Sequence, residues 1–418
     1  MKNVLLVFGG KSYEHDISVV TASQIFNKTK LENVKLIPLY LTRNNEFYIY
    51  TESRFNIKDF SILNFKNNKN KFKKVAFVTG ENNRLFIKSR FGLKEYLFAD
   101  SVIFACHGEV GENGILVSFF NMFGFGTSAG SVNALSVCMN KYIFKQVMKG
   151  LKVPVVSGFK ISKNEFENKT QELKYKIRFL KFPIIIKSNS GGSSIGLFVA
   201  KTRDEFDEKL KLAFEFDDEV LIEKFIANAR EFNVAVLGTK EDFIVSKIDE
   251  PLKANEVLSF ADKYLNSNKT KGVKGTAKNG SMATSLKNKN LNLREDLAVK
   301  IKTIAGKIFS KLGLSGVVRI DFLYDEKTGK IFVCEVNAIP GSLAFYFFKE
   351  NKISTNYLIK NLVKIAEDNR LNFNDIKKEY LTNILDWYLF WLFSSNEIVM
   401  YKITIFFILF TFIGDFVL

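Results

Sequence analysis

Arg319 and Asp321 stand two residues apart in the apolar run VVRIDFLYD, and Glu335 and Asn337 stand two apart in KIFVCEVN. Side chains two apart on a strand face the same way. The two runs are joined by EKTG, a hairpin-type turn. Pairing them gathers three oxygen donors, Asp321, Glu335 and Asn337, with an arginine beside them. All-oxygen ligation without His or Cys suits a hard cation, Mg²⁺ or Mn²⁺. Two carboxylates and an amide leave coordination positions for phosphate oxygens. The plainer reading is a surface hairpin with alternating polar residues. The flanking apolar residues and the abrupt NAIPG exit argue against it.

A second candidate is KSNSGGSSIG, residues 187–196, directly after the apolar run FPIII. Glycines and serines after a lysine suit an anion, through exposed backbone N–H groups and an ammonium. The stretch is neither G-x-x-x-x-G-K-[ST] nor G-x-G-x-x-G. Further polar residues sit at the ends of apolar runs: Lys141, the pair Glu223–Lys224 and Glu231. A strand end such as Glu223–Lys224 often reads an adenine, and Glu231 is a plausible partner for ribose hydroxyls. A solvated surface residue is the default for each taken alone.

The elements that must position these residues follow from apolar periodicity. VLLVF, the loop GGKSYEHD and a helical stretch through Phe26 precede the strand VKLIPLYL, which suggests a βαβ unit and a doubly wound N-terminal domain. SVIFACHG (101–108) reads as a buried strand ending in HGEVGENG. Ser131 to Lys149 reads as one helix, with Ser131 as N-cap. Strands are expected at 182–187, 218–226 and 230–238, and helices near 298–312 and 354–368. Residues 266–285 have no apolar period and read as a long loop, of the kind that often forms a lid.

The bulk numbers set bounds. The 418 residues suffice for two or three domains, and 47% hydrophobic with 25% charged residues is a globular composition. The net charge of +17 suits polyanions in general. No Arg/Lys stripe with interleaved aromatics appears, so nucleic acid is not an expected partner. Three cysteines far apart argue against a disulfide framework and favour a reducing, cytoplasmic setting.

These motifs together resemble the ATP-grasp ligases, and among them the D-alanine–D-alanine ligase family. GGKSYEHDIS resembles GG-x-S-x-E-x-x-[VI]-S, with Glu14 as its glutamate. CHGEVGENG resembles H-G-x-x-G-E-D-G, with Asn113 in place of the aspartate. SVCMNK resembles S-x-x-M-[DN]-K, ending in Lys141. IIIKSNSGGSSIG resembles I-V-K-P-x-x-x-G-S-S-[VI]-G, with Ser193 in the loop. FADKYL supplies the K-Y pair, Lys263 and Tyr264. RIDF and EVNAIPG resemble the metal strands. The motifs run in family order from Val4 to about residue 350.

The resemblance implies an α/β chain: an N-terminal doubly wound βα domain (1–127), then an ATP-grasp fold of two α+β subdomains (128–226 and 227–372), with a hydrophobic extension (373–418). It implies ATP as a substrate and one or two Mg²⁺ or Mn²⁺ ions on Asp321, Glu335 and Asn337. Lys141, Lys187, Ser193, Ser194, Glu223, Lys224 and Glu231 would hold ATP. Glu14, Ser193 and Tyr264 would form a hydrogen-bonded trio, and Lys263 would face the transferred phosphate or the second carboxylate. Arg319 would stabilise the tetrahedral oxyanion. Glu14, His107 and Arg319 would bind the first D-alanine; Gly341, Ser342 and Leu343 would bind the second. The product would be D-alanyl-D-alanine for peptidoglycan precursors, made through an acyl phosphate by a cytoplasmic homodimer. The neutral Tyr264 favours an amine as nucleophile over D-lactate; D-serine is the alternative second substrate.

Two departures stand out. Ser188 replaces the proline expected after the loop lysine. NAIPG runs at once into SLAFYFF, so Ser342 and Leu343 reach the family positions only across a short deletion. The run Ile403–Ile413 is shorter than the roughly 20 residues needed to span a bilayer. A buried or interfacial helix, a marginal membrane anchor and a non-native reading of the gene's 3′ end are the three readings of that tail. It is the only segment from which membrane contact is expected.

Overall fold

The computed structural model describes residues 1–178, 180–251 and 293–375. Lys263, Tyr264, the expected loop 266–285 and the chain beyond 375 lie outside the described residues. The chain divides into two compact units, Met1–Leu371 and Asn372–Leu418. Among the described residues, no helix is long and apolar enough to cross a membrane.

The first sheet is built on β1 (Lys2–Gly9), whose Val4–Phe8 are fully buried. Such an unbroken apolar run is what a parallel strand covered on both faces requires. It pairs in parallel with β2 (Val34–Leu41) on one side and β7 (Ser101–Phe104) on the other. Antiparallel β3 (Phe47–Tyr50) and β4 (Phe72–Val75) extend one edge, and β8 (Gly126–Thr127) pairs in parallel with β7 at the other. A separate hairpin of β5 (Arg84–Ser89) and β6 (Gly92–Phe98) lies between β4 and β7 in the chain. Helix α1 (His15–Lys28) follows β1 and buries Val19, Ala22 and Ile25. The expected strand 101–108 stops at Phe104.

The second sheet is antiparallel, in the order β11-β10-β12-β9. Its strands are β9 (Gly158–Ser162), β10 (Ile184–Ser188), β11 (Leu197–Ala200) and β12 (Glu219–Lys224). The third, also antiparallel, runs β14-β13-β15-β16: β13 (Arg230–Gly238), β14 (Phe243–Asp249), β15 (Gly316–Asp325) and β16 (Lys330–Asn337). Each sheet has its own apolar cluster, and a helix covers each of the last two. These are α4 (Arg203–Ala213) on the second and α5 (Glu295–Lys311) on the third. Helix α6 (Thr355–Asp375) closes the described chain.

One expectation is corrected. The helix expected over 131–149 is two helices, α2 (Val132–Met139) and α3 (Lys141–Gly150). Asn140 between them is extended, and its side chain accepts the Ile143 N–H. It therefore caps a new helix instead of continuing the old one. The break makes Lys141 the first residue of α3, at the phosphate-type loop.

Candidate active site

The β15–β16 register opposes Asp321 to Glu335 and Arg319 to Asn337. Asp321 is buried and takes Nε and Nη2 of Arg319, each at 2.7 Å, on its two oxygens. The Asn337 amide donates to the same carboxylate at 3.1 Å. Arg319, Asp321 and Asn337 thus meet, with the arginine forked onto the aspartate and the asparagine giving its amide N–H. The register shifts between Asp321 and Phe322, leaving Cys334 as an extra residue. Such a bulge breaks side-chain alternation, and both Cys334 and Glu335 line the same cavity.

That cavity measures about 350 Å³ and lies between the second and third sheets. Lys141, Lys187, Ser194, Glu223, Lys224, Glu231, Asp321 and Glu335 all line it. A smaller space of about 30 Å³ is lined by Glu14, Glu112, Lys141, Glu335 and Asn337. Lys141 and Glu335 face both spaces.

The loop after β10 is held by named bonds. Lys141 Nζ donates to the Gly191 carbonyl. Asn189 is fully buried: its carbonyl takes the Lys141 N–H at 2.9 Å and its side-chain oxygen takes the Tyr142 N–H at 2.9 Å. It thereby satisfies two of the orphan donors that every helix start carries. Ser188 closes this loop through two hydrogen bonds. Its N–H donates to the Gly196 carbonyl and its hydroxyl to the Ile195 carbonyl, both at 3.3 Å. A proline could make neither bond. A Cβ on Gly191 would lie 2.1 Å from the Ser188 hydroxyl oxygen, and one on Gly192 would lie 2.6 Å from Oε2 of Glu14. A larger residue at either position would have to push aside the Ser188 or Glu14 side chain.

Glu14 precedes α1, and its carboxylate takes the hydroxyl of Ser193 rather than capping the helix. Two of the three expected trio members therefore meet; the third, Tyr264, lies outside the described residues, as does Lys263. Glu223 is buried between two ammonium groups, Lys187 and Lys145. Burial opposes its ionisation, but the two lysines outweigh burial and hold its carboxyl below the usual range. Burial likewise opposes the charge on Lys187, and Glu223 outweighs it, so that ammonium is held above its ordinary value. Lys141 goes the other way: burial lowers it, with Glu335 opposing.

His107 is placed differently from the expected substrate contact. Its Nδ1 lies 2.7 Å from the Ile339 carbonyl and its Nε2 lies 2.7 Å from the Thr21 hydroxyl. A carbonyl only accepts, so Nδ1 carries the proton and Nε2 accepts from Thr21. Burial lowers its pKa, in keeping with a neutral ring. Ser342 is fully buried, donates its N–H to Thr21 at 3.0 Å and its hydroxyl to Gln24 at 2.5 Å. Leu343 is buried beside Phe104 and Leu362. Ser342, Leu343 and Gly341 do not line the large cavity.

Three residues went unnoticed in the sequence. Lys145 lies one helical turn beyond Lys141, a spacing that could have revealed it. Glu112, inside HGEVGENG, accepts the Gly108 N–H at 2.8 Å and the Ile339 N–H at 2.9 Å. Burial first, and Glu14 second, push its carboxyl up to about 7. Asn189 carried no signal in the sequence.

The donors fit a hard cation. Two opposed carboxylates and an amide lie beside a space lined with lysines, and oxygen donors of this kind suit a hard cation. Among the described residues no cluster of three or more His, Cys, Asp or Glu forms a metal site. A cation here would also need the Asn337 oxygen and phosphate oxygens.

Comparison with known proteins agrees with this arrangement. The family model for the D-ala D-ala ligase N-terminus matches residues 3–127, and that for the C-terminus matches 147–364. The chain belongs to the D-alanine–D-alanine ligase family. A family member from Thermosipho melanesiensis is 33% identical over 370 residues, 88% of this chain and 94% of its own. The crystal structure of the Helicobacter pylori D-alanine–D-alanine ligase superposes with a TM-score of 0.66 at 26% identity, covering 87% of this chain and 98% of its own. The Coxiella burnetii ligase structure shares the fold with a TM-score of 0.70 at 21% identity, covering 94% and 99%.

Proposed function

We infer that the chain is an ATP-dependent ligase that joins two D-alanines into D-alanyl-D-alanine for peptidoglycan precursors. The observation that carries this is family membership across both halves of a chain whose lysines, carboxylates and arginine meet at one cavity. The curated relatives carry the D-alanine–D-alanine name, which does not favour D-serine as second substrate.

A carboxylate is a poor electrophile. The γ-phosphoryl of ATP passes to a carboxylate oxygen of the first D-alanine, giving an acyl phosphate and ADP. The amine of the second D-alanine attacks that carbonyl, loses a proton, and phosphate leaves with the C–O electron pair. Mg²⁺ or Mn²⁺ on Asp321, Glu335 and Asn337 would supply charge neutralisation at the phosphates. Lys141 and Lys187 would bind phosphate oxygens. Glu223, the Lys224 backbone and Glu231 would hold adenosine, and the backbone of Ser193 and Ser194 would cover the phosphates. Arg319 would stabilise the oxyanion, as preorganised donors do. Glu14 would pair with the first ammonium. His107 would act through Ile339, whose carbonyl it holds, and Glu112 through the N–H of the same residue. Gly341 and Lys263 are proposed for the second carboxylate, and Tyr264 for the trio with Glu14 and Ser193.

Domain limits at 127/128 and 226/227 are proposed on the three sheets, whose strands come from 2–127, 158–224 and 230–337, and the limit at 372/373 on the separate unit that begins at Asn372. A homodimer is proposed on the family resemblance, and a cytoplasmic setting on the unpaired cysteines Cys106, Cys138 and Cys334. Phosphate release from ATP, with and without D-alanine, tests the function. D-Alanine should stimulate release and the dipeptide should accumulate. Release unaffected by D-alanine sinks the proposal.

A further inference from the structure

Glu223 has a second counter-ion behind it. Its Oε1 lies 2.5 Å from Nζ of Lys145, while Oε2 takes Nζ of Lys187. The three residues come from three elements: Lys145 from α3, Lys187 from β10 and Glu223 from β12. The Lys145 and Glu223 side chains are each only 3% exposed. Lys187 and Glu223 line the large cavity and Lys145 does not. One turn earlier on α3, Lys141 does face the cavity and reaches the glycine loop. Helix α3 thus sends one lysine to the loop and another to the back of Glu223.

The charge balance gives this a purpose. A lone buried Glu223–Lys187 pair would be neutral and self-contained. A phosphate could then recruit Lys187 only by drawing it from its sole partner, stranding a buried carboxylate, which is strongly unfavourable. With Lys145 present, one carboxylate faces two ammonium groups. Glu223 keeps a counter-ion when Lys187 turns to an anion, and the trio of Lys145, Glu223 and Lys187 carries one net positive charge.

We propose that Lys145 is a positioning residue of the nucleotide site, which neutralises Glu223 from behind and so frees Lys187 for the phosphates of ATP. The proposal rests on the reading of the large cavity as the ATP site.

The test is a double-mutant cycle of K145M and E223Q, read by KM for ATP, kcat and direct titration of Mg-ADP. K145M alone should raise KM for ATP and the ADP Kd by about tenfold or more, with kcat at saturating ATP changed less than about threefold, the pattern of lost uniform binding. In the E223Q background there is no charge to neutralise, and adding K145M should then move KM by less than about twofold. K145R should stay near wild type. A Lys145 that only packs would lower the melting temperature without moving KM. Wild-type KM and ADP Kd in K145M overturn the proposal, as does an equal rise in both backgrounds. If K145M does not fold, K145Q takes its place under the same criteria, and K145M/E223Q against E223Q supplies the second arm. Wild type without D-alanine-dependent phosphate release would overturn the ligase function, while the ADP titration would still decide the role of Lys145.

Discussion

At Asp321 the Arg319 guanidinium and the Asn337 amide converge on one carboxylate. It receives both arms of Arg319 and the Asn337 amide while facing Glu335 across the strand pair. Asp321→Asn removes a charge that the guanidinium needs and that the proposed cation would need. Steady-state assays should show D-alanine-dependent turnover falling by about 10²-fold or more; full activity would overturn the proposed metal role of Asp321. Glu112 makes a pH prediction. Its folded-state pKa, about 7, is raised above the ordinary carboxyl value. Its contribution to stability is therefore fully present below the unfolded value and is lost as pH rises through 7. Denaturant titrations without nucleotide should show wild type losing about 2 kcal/mol more than Glu112→Gln between pH 5 and pH 8. Parallel pH profiles for the two proteins would contradict this.

At the scale of elements, the loop between β10 and β11 is shaped by what it bonds to. Ser188 closes it with a backbone and a side-chain hydrogen bond. Ser188→Pro should cost about 1–3 kcal/mol in equilibrium unfolding and raise KM for ATP, because both bonds go. An unchanged midpoint would show that the loop closes without them. Asn189 ties the same loop to the start of α3. Asn189→Ala should lower the melting temperature and weaken ADP binding together, since the half-buried N–H of Tyr142 loses its acceptor. The strand spacing of Arg319, Asp321, Glu335 and Asn337 was legible because the period of a strand is two. The bulge at Cys334 was not, because bulges depend on the partner strand.

Across the whole molecule, residues far apart in sequence tie the first sheet to the third. His107 and Glu112 grip the carbonyl and the N–H of Ile339, and Thr21 and Gln24 grip Ser342. This segment follows Asn337 by a few residues, so residues of the first sheet's side help set the exit of β16. Thr21→Val should destabilise the protein by about 1–2 kcal/mol through the unmet Ser342 N–H and the lost bond to His107. Calorimetry on the purified protein checks it. The net charge of +17 should draw ATP electrostatically, so KM for ATP should rise with salt while kcat changes less.

The order of motifs along the chain, the strand pair that carries Arg319, Asp321, Glu335 and Asn337, and the glycine loop after β10 were determined by the sequence alone. They depend on spacing within one strand or one turn, and that spacing is local. The partners of individual charges were decided only by the tertiary structure. Glu223 meets Lys145 and Lys187 because a helix and two strands pack together, and Ser342 turns to Gln24 instead of the cavity because α1 packs on its segment. A buried charge takes whichever partner packing brings within reach, and no spacing along the chain encodes that choice.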